Sequence, residues 1–162
     1  MADLIFNNPE EDEQWMREAL QLAQTAAAQG EVPVGAVAVY KRQVIGRGYN
    51  RKETDQDPVA HAEIGALRAA AAYLQSWRLN EVTLYCTLEP CPMCAGAMIQ
   101  ARLRRLVYGA KDSKFGADGS IVSLLRQTGF NHQISITTGV LETESRQLLQ
   151  TFFKELRGMN NE

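Results

Sequence analysis

The stretch Val82-Thr83-Leu84-Tyr85-Cys86-Thr87-Leu88-Glu89-Pro90-Cys91-Pro92-Met93-Cys94-Ala95-Gly96-Ala97-Met98 reads as a strand that turns straight into a helix. β-Branched and aromatic residues carry 82–87, Glu89-Pro90 makes the turn, and 91–101 continues as a helix. Upstream, Asp57 and Pro58 offer a cap and a first-turn proline for a helix over 59–74. Before it, 34–40 and 43–49 read as a hairpin around Lys41-Arg42, with Gly35, Gly46 and Gly48 marking bulges or close backbone approach. The chain opens on a helix over 9–29, capped by Asn8 with Pro9 in the first position and Glu11 in the reciprocal capping position. Its apolar face is Trp15, Met16, Ala19, Leu20, Ala23, Ala26 and Ala27, and Gly30 stops it.

Downstream come a strand at 106–108, a loop over 109–120 with three glycines, a short helix at 121–126, a strand at 134–138 and an amphipathic helix at 142–157. A starting hairpin followed by alternating strands and helices predicts one domain spanning 1–162. Its expected class is α/β, a three-layer α/β/α sandwich with a central mixed five-stranded sheet flanked by helices.

With 162 residues the chain fits one domain, and 45% hydrophobic with 22% charged residues excludes a mainly disordered protein. No run of 18 apolar residues occurs, which excludes a transmembrane helix and any membrane partner built on one. Residues 1–7 lack the basic region, apolar core and cleavage pattern of a secretory signal, so a soluble, cytoplasmic protein is expected. The three cysteines, Cys86, Cys91 and Cys94, are odd in number and clustered, which favours reduced thiols and a metal over a disulfide framework. A net charge of -2 argues against an indiscriminate nucleic-acid binder. Yet seven of the 19 acids and one of the 17 bases fall in residues 1–31, leaving the rest of the chain net basic and able to carry a local basic patch.

The chemistry lies in His61-Ala62-Glu63 and Pro90-Cys91-Pro92-Met93-Cys94. A Cys-x2-Cys pair at a helix start puts both sulfurs where exposed amides favour thiolates, which are soft ligands for zinc. One imidazole and two thiolates make three ligands and leave the fourth tetrahedral position for water, the layout of a catalytic rather than a structural zinc. A zinc-activated water attacking a ring carbon still needs a group to move its proton, and Glu63 is the candidate. On an ideal helix His61 and Glu63 would not face the same way, so the first turn must be placed to bring both to the metal. Taken singly, Cys-x2-Cys also fits a structural zinc knuckle or a redox pair, His61 a helix cap and Glu63 a solvated residue. His132, the other histidine, is the only second imidazole on offer.

Together the two motifs form the signature of zinc-dependent nucleobase deaminases. The chain resembles the cytidine-deaminase-like superfamily and, within it, the bacterial tRNA-specific adenosine deaminases. The narrower resemblance rests on Glu31-Val32-Pro33-Val34-Gly35-Ala36-Val37, Asn50, 57–64, 84–98, Val107-Tyr108-Gly109-Ala110-Lys111-Asp112, Gly119-Ser120, Phe130-Asn131-His132 and Phe152-Phe153. It implies hydrolytic conversion of the wobble adenosine of an arginine tRNA anticodon to inosine, with release of ammonia, by a homodimer holding one zinc per subunit. By resemblance, His61, Cys91 and Cys94 hold the metal and Glu63 shuttles protons. Asn50 would contact the flipped nucleoside, Pro33, Val34 and Ala36 shape the base pocket, Asp112 lie near the RNA sugars, and Phe152 and Phe153 flank the bound loop. No DNA partner is expected.

The same residues have plainer readings. Asn50 could organise a turn, Val34 and Ala36 could be sheet core, and adjacent Phe152 and Phe153 point different ways on a helix. Asp112 repels phosphate and makes sense near RNA only as an acceptor from a sugar hydroxyl. Arg102, Arg104, Arg105, Lys111, Lys114, Lys154 and Arg157 are candidates for phosphate contacts. Cys86 reads as a small buried hydrophobe, while Gly65 and Asp118 depart from the family pattern. Two other functions fit the motifs: deamination of a free base or nucleoside such as guanine or cytidine, and a nonenzymatic zinc-containing RNA-binding module.

Overall fold

Nine elements follow one another in the computed structural model, which describes residues 8–160; the reading of residues 1–7 as free of a secretory signal lies outside them. They are α1 (Pro9–Ala28), β1 (Gly35–Tyr40), β2 (Gln43–Tyr49), α2 (Ala62–Leu74), β3 (Thr83–Leu88), α3 (Pro92–Gln100), β4 (Arg105–Ala110), β5 (Ser135–Thr138) and α4 (Glu142–Asn160). The strands form one sheet in the order β2-β1-β3-β4-β5. β1 runs antiparallel to both neighbours, whereas β3, β4 and β5 are parallel, so the sheet is mixed as expected.

The two-residue period of the strands divides the core between the two faces. Ala36, Ala38, Leu84, Cys86, Leu106 and Tyr108 pack against α2 and α3. Val37, Val39, Tyr85 and Val107 pack against Trp15, Met16 and Ala19 of α1, with Val140 and Leu141 at the approach to α4. That is an α/β/α sandwich. No helix among the described residues is long and apolar enough to cross a membrane.

Glycines set how closely the layers approach. A Cβ at Gly48 would stand 2.1 Å from the Ala62 carbonyl oxygen, and one at Gly46 2.3 Å from that of Ala66, so β2 lies directly on the backbone of α2. Gly35 plays the same part against α1, where a Cβ would meet the Ala19 carbonyl oxygen at 2.1 Å. Gly65 belongs to this contact, with the Cα of Gly48 3.4 Å from where its Cβ would be. A ladder irregularity also occurs beside Gly46: Ala38 pairs with Gly46 and Val39 with Val44, which leaves Ile45 as the extra residue of β2.

α1 is fastened by a buried ion pair. Arg105 donates to both Asp12 carboxylate oxygens at 2.8 and 2.7 Å, and the Tyr85 hydroxyl donates to Asp12 at 2.8 Å. Arg105 is therefore withdrawn from the phosphate-contact set, since it is 4% exposed and committed to Asp12. Arg102 and Arg104 precede β4, at the end of the parallel strands opposite Leu88 and Cys91.

Two sequence expectations give way. The helix expected over 121–126 does not form, because 121–125 folds back on the preceding loop instead. Gly116 accepts from the amides of Ile121 and Val122, Ala117 accepts from Leu124, and Asp118 bridges Ser123. α2 begins at Ala62, not at 59, and Asp57-Pro58 caps a turn in which the Asp57 side chain accepts from the Val59 amide.

Candidate metal centre and its rim

His61, Cys91 and Cys94 converge from two helix starts. His61 is the N-cap of α2 and Cys91 the N-cap of α3, both with extended backbone, while Cys94 lies in the first turn of α3. His61 therefore stands outside the helix that carries Glu63, which removes the difficulty of two residues on one helix facing apart. The His61 Nδ1 atom lies 3.6 Å from Cys91 Sγ and 3.4 Å from Cys94 Sγ. All three donor atoms fall within 4.8 Å of one another, and among the described residues this is the one such group of histidine, cysteine and carboxylate. A tetrahedral zinc with bonds of about 2.0–2.1 Å to nitrogen and about 2.3 Å to sulfur needs donor edges of roughly 3.6 Å, so the three residues fit the ion.

The cysteines share their protons unequally. A hydrogen bond from Cys94, aided by His61, pulls the Cys91 thiol down to about 4 against the opposing effect of burial. The Cys94 thiol is pushed up by the same bond and by burial, and His61 is raised chiefly by its bond to Cys91. Glu63 is 4% exposed in the first turn of α2, and burial lifts its carboxyl above the ordinary value of 4.5. Cys86 is buried in the sheet core, where burial pushes its thiol well above 9.0 and leaves it unreactive. His132 is not brought to the group: its Nε2 pairs with the Leu103 carbonyl at 2.5 Å.

Two buried glutamates hold the loops on either side. Glu31 accepts from the amides of Glu53 at 3.1 Å and Thr54 at 2.7 Å, fixing the segment that leads from β2 to His61. Burial alone would raise this carboxyl, but those hydrogen bonds and the charge of Arg51 together hold it below 4.5. Glu89 accepts from the amides of Asp112 at 3.1 Å, Asp118 at 2.8 Å and Ser120 at 3.3 Å, and from the Ser120 hydroxyl. Asp118 in turn takes the Tyr108 hydroxyl at 2.7 Å and two bonds from Arg126 at 2.8 and 3.0 Å. The sequence assigned none of the three acids this role, and Asp118 stood out there only as a departure from the family pattern. Glu31 and Glu89 stood in the quoted motifs, but nothing local marks an acid whose donors lie 22 or more residues away.

The remaining candidates are spread along the rim and core. Asn50 donates to the Val32 carbonyl at 3.2 Å and accepts from the Lys52 amide at 3.1 Å, so it organises its turn. Val34 and Ala36 are 9% and 0% exposed in the sheet core, and Pro33 is buried beside them. The Asp112 carboxylate caps its own turn, accepting from the amides of Lys114 and Phe115. On α4, half-buried Phe152 and 37% exposed Phe153 meet edge to face at 5.5 Å.

A family model described as MafB19-like deaminase matches residues 10–157. The chain is 47% identical over 147 residues to the tRNA-specific adenosine deaminase of Bacillus subtilis, covering 91% of each. Among solved structures, it matches at a TM-score of 0.81 and 44% identity a protein studied for A-to-I editing by tRNA:A34 deaminases at the wobble position of transfer RNA. That match covers 84% of this chain and 99% of the other. A guanine deaminase from Nitrosomonas europaea matches at a TM-score of 0.75 and 28% identity, over 86% of this chain and 83% of the other.

Proposed function

This chain belongs to the MafB19-like deaminase family, alongside the tRNA-specific adenosine deaminases, and on that premise we propose that it converts the wobble adenosine of a tRNA anticodon to inosine. Water is consumed and ammonia released: a C6–O bond forms and the C6–N bond to the amino group breaks. The observation that carries the reading is the triangle of His61, Cys91 and Cys94 beside a buried Glu63. These three residues would hold one zinc per subunit, which supplies Lewis acidity that brings the pKa of a water to about 7.

Glu63 does the proton work. Its carboxylate takes the proton of the attacking water, passes it to the ring nitrogen and then assists the departing amine. Burial disfavours its charged form and raises the carboxyl above its ordinary value, which suits a group that takes a proton and then returns it. Asn50 keeps a second amide hydrogen for the flipped nucleoside beyond the one given to Val32. Pro33, Val34 and Ala36 back the base pocket from the core, and Asp112 offers a carboxylate oxygen to a sugar hydroxyl. Lys111, Lys114, Lys154 and Arg157 are exposed for phosphates, and Phe153, with Phe152 behind it, offers a ring for stacking on the anticodon loop. An arginine tRNA is the expected substrate, in the cytoplasm.

A homodimer fits the apolar surface near α3. Phe115, Ile121, Val122 and Phe130 are 65%, 57%, 45% and 42% exposed, and Phe130 lines a groove with Ile99 and Leu124.

The test is product analysis after incubating zinc-loaded protein with an arginine anticodon stem-loop carrying a wobble adenosine, with Glu63→Gln as the blank. Inosine from the stem-loop, lost in the variant, supports the reading. Turnover of guanine alone would move the assignment to the small-molecule reaction that the Nitrosomonas likeness favours. RNA binding with no turnover of either would leave a binding module.

A further inference from the structure

We infer that Glu89 is a positioning residue, whose buried carboxylate holds the segment 111–120 as a preformed wall beside the metal ligands. The inference rests on the deaminase reading, which gives that wall a substrate to meet. Glu89 is 1% exposed, and among the described residues the donors that reach its carboxylate come from this one segment: the amides of Asp112, Asp118 and Ser120 and the Ser120 hydroxyl. A buried carboxylate stays charged only while its oxygens are hydrogen-bonded, so letting the segment go would strand the charge. Glutamate and segment therefore hold each other.

The fit leaves no room for a side chain. A Cβ at Gly116 would lie 2.3 Å from a Glu89 carboxylate oxygen, so a glycine is needed where the loop crosses the acid. The same unit reaches the ligands. The Ala117 amide donates to the Pro90 carbonyl at 2.8 Å, next to Cys91, and the Glu89 amide donates to the Ala110 carbonyl at 2.8 Å where β4 ends. Asp112 then turns the chain so that Lys114 and the 65% exposed Phe115 stand out from a fixed base. Substrate meets a rim that is already ordered, and binding need not supply the ordering cost.

The experiment compares zinc-loaded wild type, Glu89→Gln and Ser120→Ala on the anticodon stem-loop, with zinc content and amide exchange read on the same samples. A glutamine presents N–H groups to the amides that now donate to the carboxylate, so it breaks several of these bonds, whereas Ser120→Ala removes one donor. For Glu89→Gln we expect KM to rise about 100-fold and kcat to change less than about threefold, with zinc retained. Exchange should quicken at Asp112, Asp118 and Ser120 while β3 stays protected. Ser120→Ala should raise KM about threefold.

Unchanged KM, or a fall in kcat at constant KM, overturns the positioning role. A uniform rise in exchange across the sheet overturns it too, in favour of plain stability. If Glu89→Gln does not fold, Ser120→Ala decides: local exchange with raised KM supports the inference, and neither change defeats it. A wild type that leaves the stem-loop unconverted overturns the deaminase reading itself, whereas wild-type turnover with unaltered variants overturns only the role of Glu89.

Discussion

Glu63 and His61 are two residues apart in sequence and belong to different conformations, a helical carboxylate and an extended N-cap imidazole. That division lets the acid be removed without touching the ligands. Glu63→Gln should lose about 100- to 10,000-fold in kcat while keeping one zinc per chain, measured by stem-loop kinetics beside elemental analysis. Glu31 makes a prediction about pH. Its folded carboxyl is held below the ordinary 4.5, so the stabilisation is complete above 4.5 and is lost as pH falls through the lower folded value. Melting temperature should therefore drop below pH 4.5, and Glu31→Gln should flatten that part of the curve. The convergence of His61, Cys91 and Cys94 was legible because His-x-Glu and Cys-x2-Cys are local spacings that carry their own chemistry. Asp118 was not: as an acid in a glycine-rich loop it looked incidental, and only the folded chain brings Tyr108 and Arg126 to it.

The element that aims the imidazole is α2, and its seat on β2 is made of backbone. Gly48→Ala would drive a methyl group into the Ala62 carbonyl, one residue from His61. Overpacking of this kind costs about 1–3 kcal/mol. The variant should be less stable in urea and, because the helix start must shift, should bind zinc more weakly in a chelator competition. Most elements were readable from period and caps, within a few residues at the ends. The two exceptions share a cause. At Asp57-Pro58 and at 121–126 the local signals were those of a helix start and a helix, but a tight turn on Asp57 and the carbonyls of Gly116 and Ala117 claimed the amides that a helix would have used. Gly46 and Gly48 were read as marking bulges or close backbone approach, and the close approach is to α2, a helix that follows them in sequence.

At the scale of the whole molecule, the alternation of elements was enough to give a mixed five-stranded sheet between helices, since few arrangements bury both of its faces. The exposed apolar surface near α3 was not legible, because an exposed apolar residue has no sequence mark that distinguishes it from a core one. Phe130→Asp tests the proposed association. The wild type should elute with the mass of two chains in light scattering and the variant with the mass of one, each at low micromolar concentration. The metal group also has a temporal side. Its histidine and its nearer cysteine are 30 positions apart, so a ribosome delivers the imidazole seconds before either sulfur. During that interval the emerging polypeptide offers only one of the group's three donors, too little to retain an ion there. Loading must await the second helix start and the sheet that sets the two side by side. A product truncated before residue 91 would carry no metal at all, and an ion count on newly made protein would report completed assembly.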